Sequence, residues 1–165
     1  MTAFKSFRVT HEYTQNNQAP PEKVFPLLCP VREADWVPEW RYRLIYSDSG
    51  VADLGCIFTT PNSQSEAAPE TTWITIEYDP SAFRIAFVWI NPGRVAAEIR
   101  IQLTPTGQGE TQARICYPYT GLSPEGNQEV EGYDEKWFQK KMQSWESAIN
   151  HYLRTGRKIA SPSWE

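Results

Sequence analysis

The last fifth of the chain has the pattern of one long amphipathic helix, and it follows a sequence that reads almost entirely as β-strand. Ser123-Pro124-Glu125 supplies a hydroxyl N-cap, a first-turn proline and a carboxylate at the positive end of the helix dipole. Gly156 is placed to end the helix in the left-handed conformation. Apolar residues recur between these ends at steps of three and four, which puts them on one face: Phe138, Met142, Trp145, Ile149 and Leu153. A helix of roughly 45 Å needs an equally long apolar surface, and only the preceding strands can supply one.

The strands are indicated by alternation of apolar and polar residues between turn signals such as Asp48-Ser49-Gly50 and Asn91-Pro92-Gly93. Proline-rich sequence from Pro20 to Trp36 interrupts them and predicts two short helices after strand 1. The predicted strands are 4–14, 42–47, 54–60, 71–78, 83–89, 95–104 and 111–119.

This element order predicts an α+β fold, a curved antiparallel sheet of about seven strands wrapped around a long C-terminal helix. With no composition break in 165 residues, we expect a single domain over 1–165, with 159–165 as a loose tail. The small, polar, proline-bounded segment 61–70 is expected to be a mobile loop.

The strand over 71–78 can present either of two faces to the interior. Trp73, Thr75 and Glu77 lie on one face, whereas Ile74, Ile76 and Tyr78 lie on the other. The second face carries three large apolar side chains, so the pattern favours it as the inner one and makes Glu77 an ordinary solvent-facing residue.

Charge and composition exclude several classes of function. A formal net charge of -4 with a sequence pI near 5.3 argues against a nucleic-acid partner. The three cysteines form no CxxC motif or metal-ligand cluster, so we expect reduced thiols, no metal and no cofactor. The sequence shows neither a signal peptide nor a run long enough to span a bilayer, which predicts a cytoplasmic protein without membrane insertion.

Several motifs resemble those of the SRPBCC superfamily, the helix-grip fold of START domains, birch-pollen-type allergens, polyketide cyclases and chaperone ATPase activators. They are Ala19-Pro20-Pro21-Glu22-Lys23-Val24-Phe25, Trp73-Ile74-Thr75-Ile76-Glu77-Tyr78-Asp79-Pro80, Leu122-Ser123-Pro124-Glu125-Gly126-Asn127 and the helix ending from Trp145 to Leu153. The resemblance covers nearly the whole chain. It implies a deep, mostly apolar cavity between helix and sheet that relatives use for hydrophobic ligands.

Aromatic residues are the main candidates for lining such a cavity, because flat side chains suit aromatic ligands and carry orienting N–H and O–H groups. His11, on the apolar face of strand 1, joins them as a neutral imidazole that could bind a ligand carbonyl. In the helix, the half nearer its start is expected to form cavity wall, including Val130 and Lys141. The predicted site residues are His11, Trp36, Trp40, Tyr42, Phe58, Trp73, Phe87, Trp89, Tyr117, Tyr119, Tyr133 and Trp137.

Three functions remain open from the sequence. The leading one is binding of a small hydrophobic molecule, of lipid, polyketide or aromatic type. The second is a cyclase or aromatase resembling the polyketide cyclases, in which Tyr117, Tyr119 or His11 would move protons. The third is an interaction protein like the chaperone ATPase activators. No nucleophile motif occurs, so no catalytic residue is assigned, and a homodimer is possible.

Overall fold

A single antiparallel sheet of seven strands, in the order β1-β7-β6-β5-β4-β3-β2, organises the structure, a computed structural model that describes residues 3–62 and 69–160. The first strand pairs with the last, Val9 opposite Tyr119, so β1 and β7 lie side by side at one edge of the sheet. The strands are β1 Arg8–Asn17, β2 Arg43–Tyr46, β3 Ile57–Thr60, β4 Thr71–Asp79, β5 Arg84–Asn91, β6 Val95–Pro105 and β7 Thr111–Gly121.

Two short helices follow β1, as the prolines predict. Helix α1 spans Pro21–Val24, a single 3₁₀ turn follows over Phe25–Leu28, and α2 spans Pro30–Glu33. Proline is in the first turn of each piece, where its missing N–H costs no hydrogen bond. These pieces therefore stay short, and their apolar residues pack into the core.

The C-terminal helical segment is broken, which corrects the expectation of one continuous helix. Helix α3 spans Pro124–Glu131 and α4 spans Glu135–Thr155. Gly132 weakens the helix between them, and the Asp134 side chain accepts a hydrogen bond from the Trp137 N–H at 2.8 Å, so it starts a new helix. At 1.5 Å per residue, α4 alone is about 32 Å long, still enough to cross the sheet.

In the first half of strand β4, the residues that face the interior are those that the apolar pattern predicts to face solvent. Thr71 and Thr75 are buried and Trp73 packs against the core, whereas Ile76 is 39% exposed. A β-bulge between Thr75 and Glu77 inserts one extra residue, so the alternation changes face halfway along the strand.

The expected solvent-facing position of Glu77 is nevertheless what the structure shows. Its carboxylate lies 3.2 Å from both Arg84 and Arg100, two arginines on the outer face that are about half exposed. The bulge explains why the inner-face prediction for Ile74 and Ile76 is wrong while the prediction for Glu77 is right.

The core lies between the inner face of the sheet and α4. Phe138, Met142 and Ile149 of α4 are buried in it, as the helical spacing predicts. Ile159, which was expected to begin the loose tail, packs against this core, while residues 161–165 lie outside the described residues. The expectation for segment 61–70 falls mostly on 63–68, which also lie outside them. Within the described part of the chain, no helix is long and apolar enough to cross a membrane.

Candidate ligand cavity

A cavity of about 830 Å³ separates α4 and α2 from the inner face of the sheet. Its wall combines side chains from β3 to β7 with side chains from α2, α3, α4 and the segment after Thr155. Helix α4 lines it with a stripe of residues at helical spacing, Trp137, Lys141, Ser144 and Ala148, and Lys140 lines it beside them. The sheet curves away from this stripe, and the space between is large enough for a small organic molecule.

Stacked aromatic pairs make up much of the wall. Phe58 and Trp73 stack with ring centroids 5.4 Å apart, and Tyr133 and Trp137 stack at 4.4 Å. Trp89 contacts Trp73 in a tilted arrangement with ring centroids 6.2 Å apart and continues the surface toward β7. Such rings present flat, rigid apolar surfaces at little conformational cost, which suits a planar ligand.

A chain of polar groups crosses the aromatic wall on β5 and β7. The Trp89 indole donates to the Tyr117 hydroxyl at 2.6 Å, and the Tyr117 and Tyr119 rings stack at 4.3 Å with their hydroxyls hydrogen-bonded to each other. Burial raises the pKa of both tyrosines far above the ordinary value. Both therefore remain neutral hydroxyls near neutral pH.

Lys141 reaches into the cavity from α4 and lies among these rings. Its ammonium is 4.9 Å from the Tyr117 ring centroid and 5.1 Å from that of Trp137, and it donates to the Tyr119 hydroxyl at 3.5 Å. The residue lines the cavity and keeps part of its surface exposed. Burial of the ammonium among protein atoms lowers the pKa of Lys141 to about 8.

Glu33, the last residue of α2, also lies in the wall. Burial raises the pKa of its carboxyl to about 8, so it is mostly protonated at neutral pH. Within the described chain Glu33 forms no ion pair. Glu33 and Lys141 both owe their shifted pKa to burial, so neither acts as the counter-ion of the other.

Several other polar groups of the wall are paired with protein groups. The Trp73 indole donates to Thr60 at 3.0 Å, and the Thr71 hydroxyl donates to Asn91 at 2.6 Å. Glu129 pairs with Arg94 at 2.9 Å and accepts the Tyr133 hydroxyl at 2.7 Å. Among the described residues, Glu33, Lys140 and Lys141 are then the ionisable groups of the wall without an ion pair, and of the two lysines only Lys141 contacts the aromatic rings.

Nine of the twelve predicted site residues lie in this wall, although a role for them in ligand binding remains a prediction. They are Trp40, Phe58, Trp73, Phe87, Trp89, Tyr117, Tyr119, Tyr133 and Trp137.

The structure places His11, Trp36 and Tyr42 outside the wall. His11 lies where its Nε2 meets the Tyr133 carbonyl at 2.6 Å and its Nδ1 meets Glu135 at 2.9 Å, so it joins β1 to the break between α3 and α4. Trp36 is fully buried in solid core with its indole donating to the Leu27 carbonyl. Tyr42 lies just before the edge strand β2.

Sequence reasoning missed Glu33 and only partly identified Lys141. The position of Lys141 in the helix predicts that it lies in the wall. It does not predict the contacts of its ammonium with the aromatic rings, or that the described residues provide no counter-ion. Glu33 lies three and four residues before Trp36 and Val37, but α2 ends at Glu33, so no continuous helix face marks it. The sequence therefore holds no clear signal for Glu33.

No protein-family model matches the sequence, and no curated protein matches it. Solved structures do. Norcoclaurine synthase from Thalictrum flavum, in complex with dopamine and hydroxybenzaldehyde, has a TM-score of 0.67 at 16% identity over 96% of this chain and 97% of that chain. Ara h 8.0201 has a TM-score of 0.60 at 13% identity over 90% and 99% of the two chains. The di-domain ARO/CYC BexL has a TM-score of 0.64 at 15% identity, over 88% of this chain and 46% of that one.

At these identities the likeness establishes the architecture and leaves the chemistry open. The curved seven-stranded sheet, the short helices after β1 and the long C-terminal helix are shared. The protein has the helix-grip fold that these structures share, as the element order of the sequence predicts.

Proposed function

We propose that this protein binds a small, largely aromatic or apolar molecule in the cavity between α4 and the sheet. The observation that carries the proposal is the cavity itself, about 830 Å³ and walled mainly by aromatic side chains. This volume is in the range of small-molecule sites, which are typically about 300–1,000 Å³. The norcoclaurine synthase structure in complex with dopamine and hydroxybenzaldehyde gives indirect support, because a similar fold there accompanies small aromatic molecules.

The test is binding of Nile red, a neutral apolar dye that fluoresces on leaving water. We expect saturable binding with one site per chain, together with a change in tryptophan fluorescence, because Trp73, Trp89 and Trp137 line the wall. Native mass spectrometry of freshly purified protein should in addition detect a retained small molecule.

A pair of variants tests whether Nile red binds in this cavity. Ser144→Phe adds a ring to the α4 stripe that faces the cavity and should weaken Nile red binding at least about tenfold. Thr104→Phe adds the same ring to an exposed position of β6 and should leave binding unchanged. Equal binding by both variants, or no binding by the wild type, would contradict the proposal.

A second function, an enzyme of cyclase or aromatase type, is favoured by one specific observation. Glu33 and Lys141 both line the cavity, and burial moves the pKa of each to about 8, close to the pH at which acid–base catalysts work best. In this second candidate, the proton-moving groups come from the helices and not from Tyr117, Tyr119 or His11.

Proton abstraction next to a carbonyl is the step such an enzyme needs, and it can be measured without knowing the substrate. In D₂O, the protein should speed deuterium incorporation beside the carbonyl of phenylacetone. Glu33→Gln and Lys141→Met should remove that acceleration while Nile red still binds. Exchange at the buffer rate with wild-type protein would set the enzymatic function aside and leave the binding function standing.

A further inference from the structure

The ammonium of Lys141 has unusual surroundings for a lysine. It contacts the rings of Tyr117 at 4.9 Å, Trp137 at 5.1 Å and Tyr119 at 5.8 Å, and its hydrogen bond to the Tyr119 hydroxyl is long at 3.5 Å. No salt bridge of Lys141 occurs in the described ranges. An ammonium has three donors, and the described residues provide only this one long hydrogen bond, so most of its hydrogen-bonding capacity is left for a ligand or water.

The carboxyl groups of the wall do not compensate this charge. Glu129 is held by Arg94 and by the Tyr133 hydroxyl, as described above. Glu33 is mostly protonated near neutral pH because burial raises its pKa, and it does not perturb the pKa of Lys141. A partly desolvated charge without a counter-ion costs free energy, and an anion brought by a ligand would recover that cost.

The Tyr117 hydroxyl is arranged to assist such an anion. It accepts a hydrogen bond from the Trp89 indole at 2.6 Å, and its own proton can be donated to an acceptor. The Lys141 ammonium lies over the same ring, so a charged donor and a neutral donor lie near each other on the wall.

A ligand cation would be opposed by the same arrangement. Lys141 already occupies the faces of Tyr117 and Trp137 where a second cation would otherwise be attracted, and it repels one by charge. The aromatic surfaces on either side remain available for the apolar body of a ligand.

We propose that the cavity selects planar aromatic carboxylates, with the Lys141 ammonium binding the carboxylate and the aromatic wall holding the ring system. The inference rests on the proposed function, since it requires that the cavity be a binding site. It adds the chemical class of the ligand and the residue that recognises it.

The experiment compares three probes of nearly equal shape, naphthoate, naphthamide and naphthylmethylamine, in competition with Nile red and by direct calorimetric titration near neutral pH. We expect naphthoate to bind at least about tenfold more tightly than naphthamide, because a hydrogen-bonded ion pair contributes more than a neutral hydrogen bond. Naphthylmethylamine should bind most weakly.

Variants assign the preference to one amine. Lys141→Met and Lys141→Gln should reduce the naphthoate preference to less than about threefold while retaining Nile red binding, which also verifies that they are folded. Lys136→Met is the matched control, because Lys136 is an exposed lysine of α4 that does not line the cavity and lacks the ring contacts that the described residues give Lys141. It should leave the preference intact.

The outcomes separate the inference from the proposed function. Absence of Nile red binding would overturn both. Nile red binding with no preference for naphthoate, or with a preference that survives both Lys141 variants, would overturn the carboxylate inference and leave the binding function in place. Failure of all three naphthalene probes to compete or to bind directly would also overturn the inference.

Discussion

Glu33 and Lys141 bring two ionisable groups into an otherwise aromatic wall, from two different helices. Burial is the cause that moves the pKa of each to about 8, although the shifts have opposite direction. Folding therefore favours the neutral carboxyl of Glu33 and the neutral amine of Lys141. Residues kept at such a cost in stability are more typical of a functional site than of packing alone.

Replacing Glu33 by Gln should remove a pH-dependent loss of stability. The folded-state pKa of about 8 lies above the ordinary value of 4.5, so the contribution of the protonated carboxyl is complete below about pH 4.5 and is lost as pH rises through 8. Glu33→Gln should match the wild type near about pH 5 and exceed its free energy of unfolding by at least about 1 kcal/mol near about pH 9.

Urea unfolding across that pH range measures the difference. Glu131→Gln, which changes an exposed carboxyl at the end of α3, is the control and should follow the wild-type curve. A wild-type stability that does not fall between these pH values relative to Glu33→Gln would show that Glu33 is not desolvated.

At the scale of elements, the break between α3 and α4 sets what reaches the cavity. Because α4 restarts at Asp134, Tyr133 stacks on Trp137 and its carbonyl meets His11 of β1. The strand pattern has a similar interruption in β4, where the bulge after Thr75 lets Trp73 face inward. Both interruptions place an aromatic side chain in the wall.

Removing the cap of α4 should destabilise the protein modestly. Asp134→Ala deletes the acceptor for the Trp137 N–H and should lower the free energy of unfolding by about 1 kcal/mol. Glu131→Ala, an exposed residue three positions earlier, should cost less than about 0.5 kcal/mol. Equal midpoints for the two variants in urea would show that the side-chain cap does not stabilise α4.

At the scale of the whole molecule, the helical segment is held against the sheet at a point where backbones nearly touch. A Cβ on Gly126 of α3 would lie 1.8 Å from the Arg94 carbonyl oxygen, in the turn between β5 and β6. The same carbonyl accepts the Leu122 N–H at 2.7 Å, so it is fixed and cannot yield. Only glycine allows this approach.

Gly126→Ala should therefore lower the free energy of unfolding by at least about 2 kcal/mol, because α3 must move off the sheet. Gly132→Ala, where the nearest atom to a new Cβ is 3.3 Å away, is the comparison and should cost less than about 1 kcal/mol. Comparable urea midpoints for the two variants would contradict the close approach.

Oligomeric state belongs to the same scale and remains a prediction. Strand β2 is an edge of the sheet and exposes Leu44, Ile45 and Tyr46. Such an edge can pair with another chain. A homodimer is therefore possible, and light scattering of the purified protein would decide it.

The sequence by itself determined the fold, because period-two alternation and helical spacing fix which residues can share a face. These patterns predicted the seven strands, the short helices that begin with proline, and the buried face of α4. Turn signals and proline positions fixed the order of the elements.

The tertiary structure alone decided what lines the cavity. A cavity is the space that curvature leaves between elements, so its wall depends on the bulge in β4, on the break before α4 and on the position of α2. These three features alter the local apolar pattern too little for the sequence to predict them. For this reason most of the aromatic wall was predictable, whereas the isolated charge of Lys141 and the buried carboxyl of Glu33 emerged only from the packed chain.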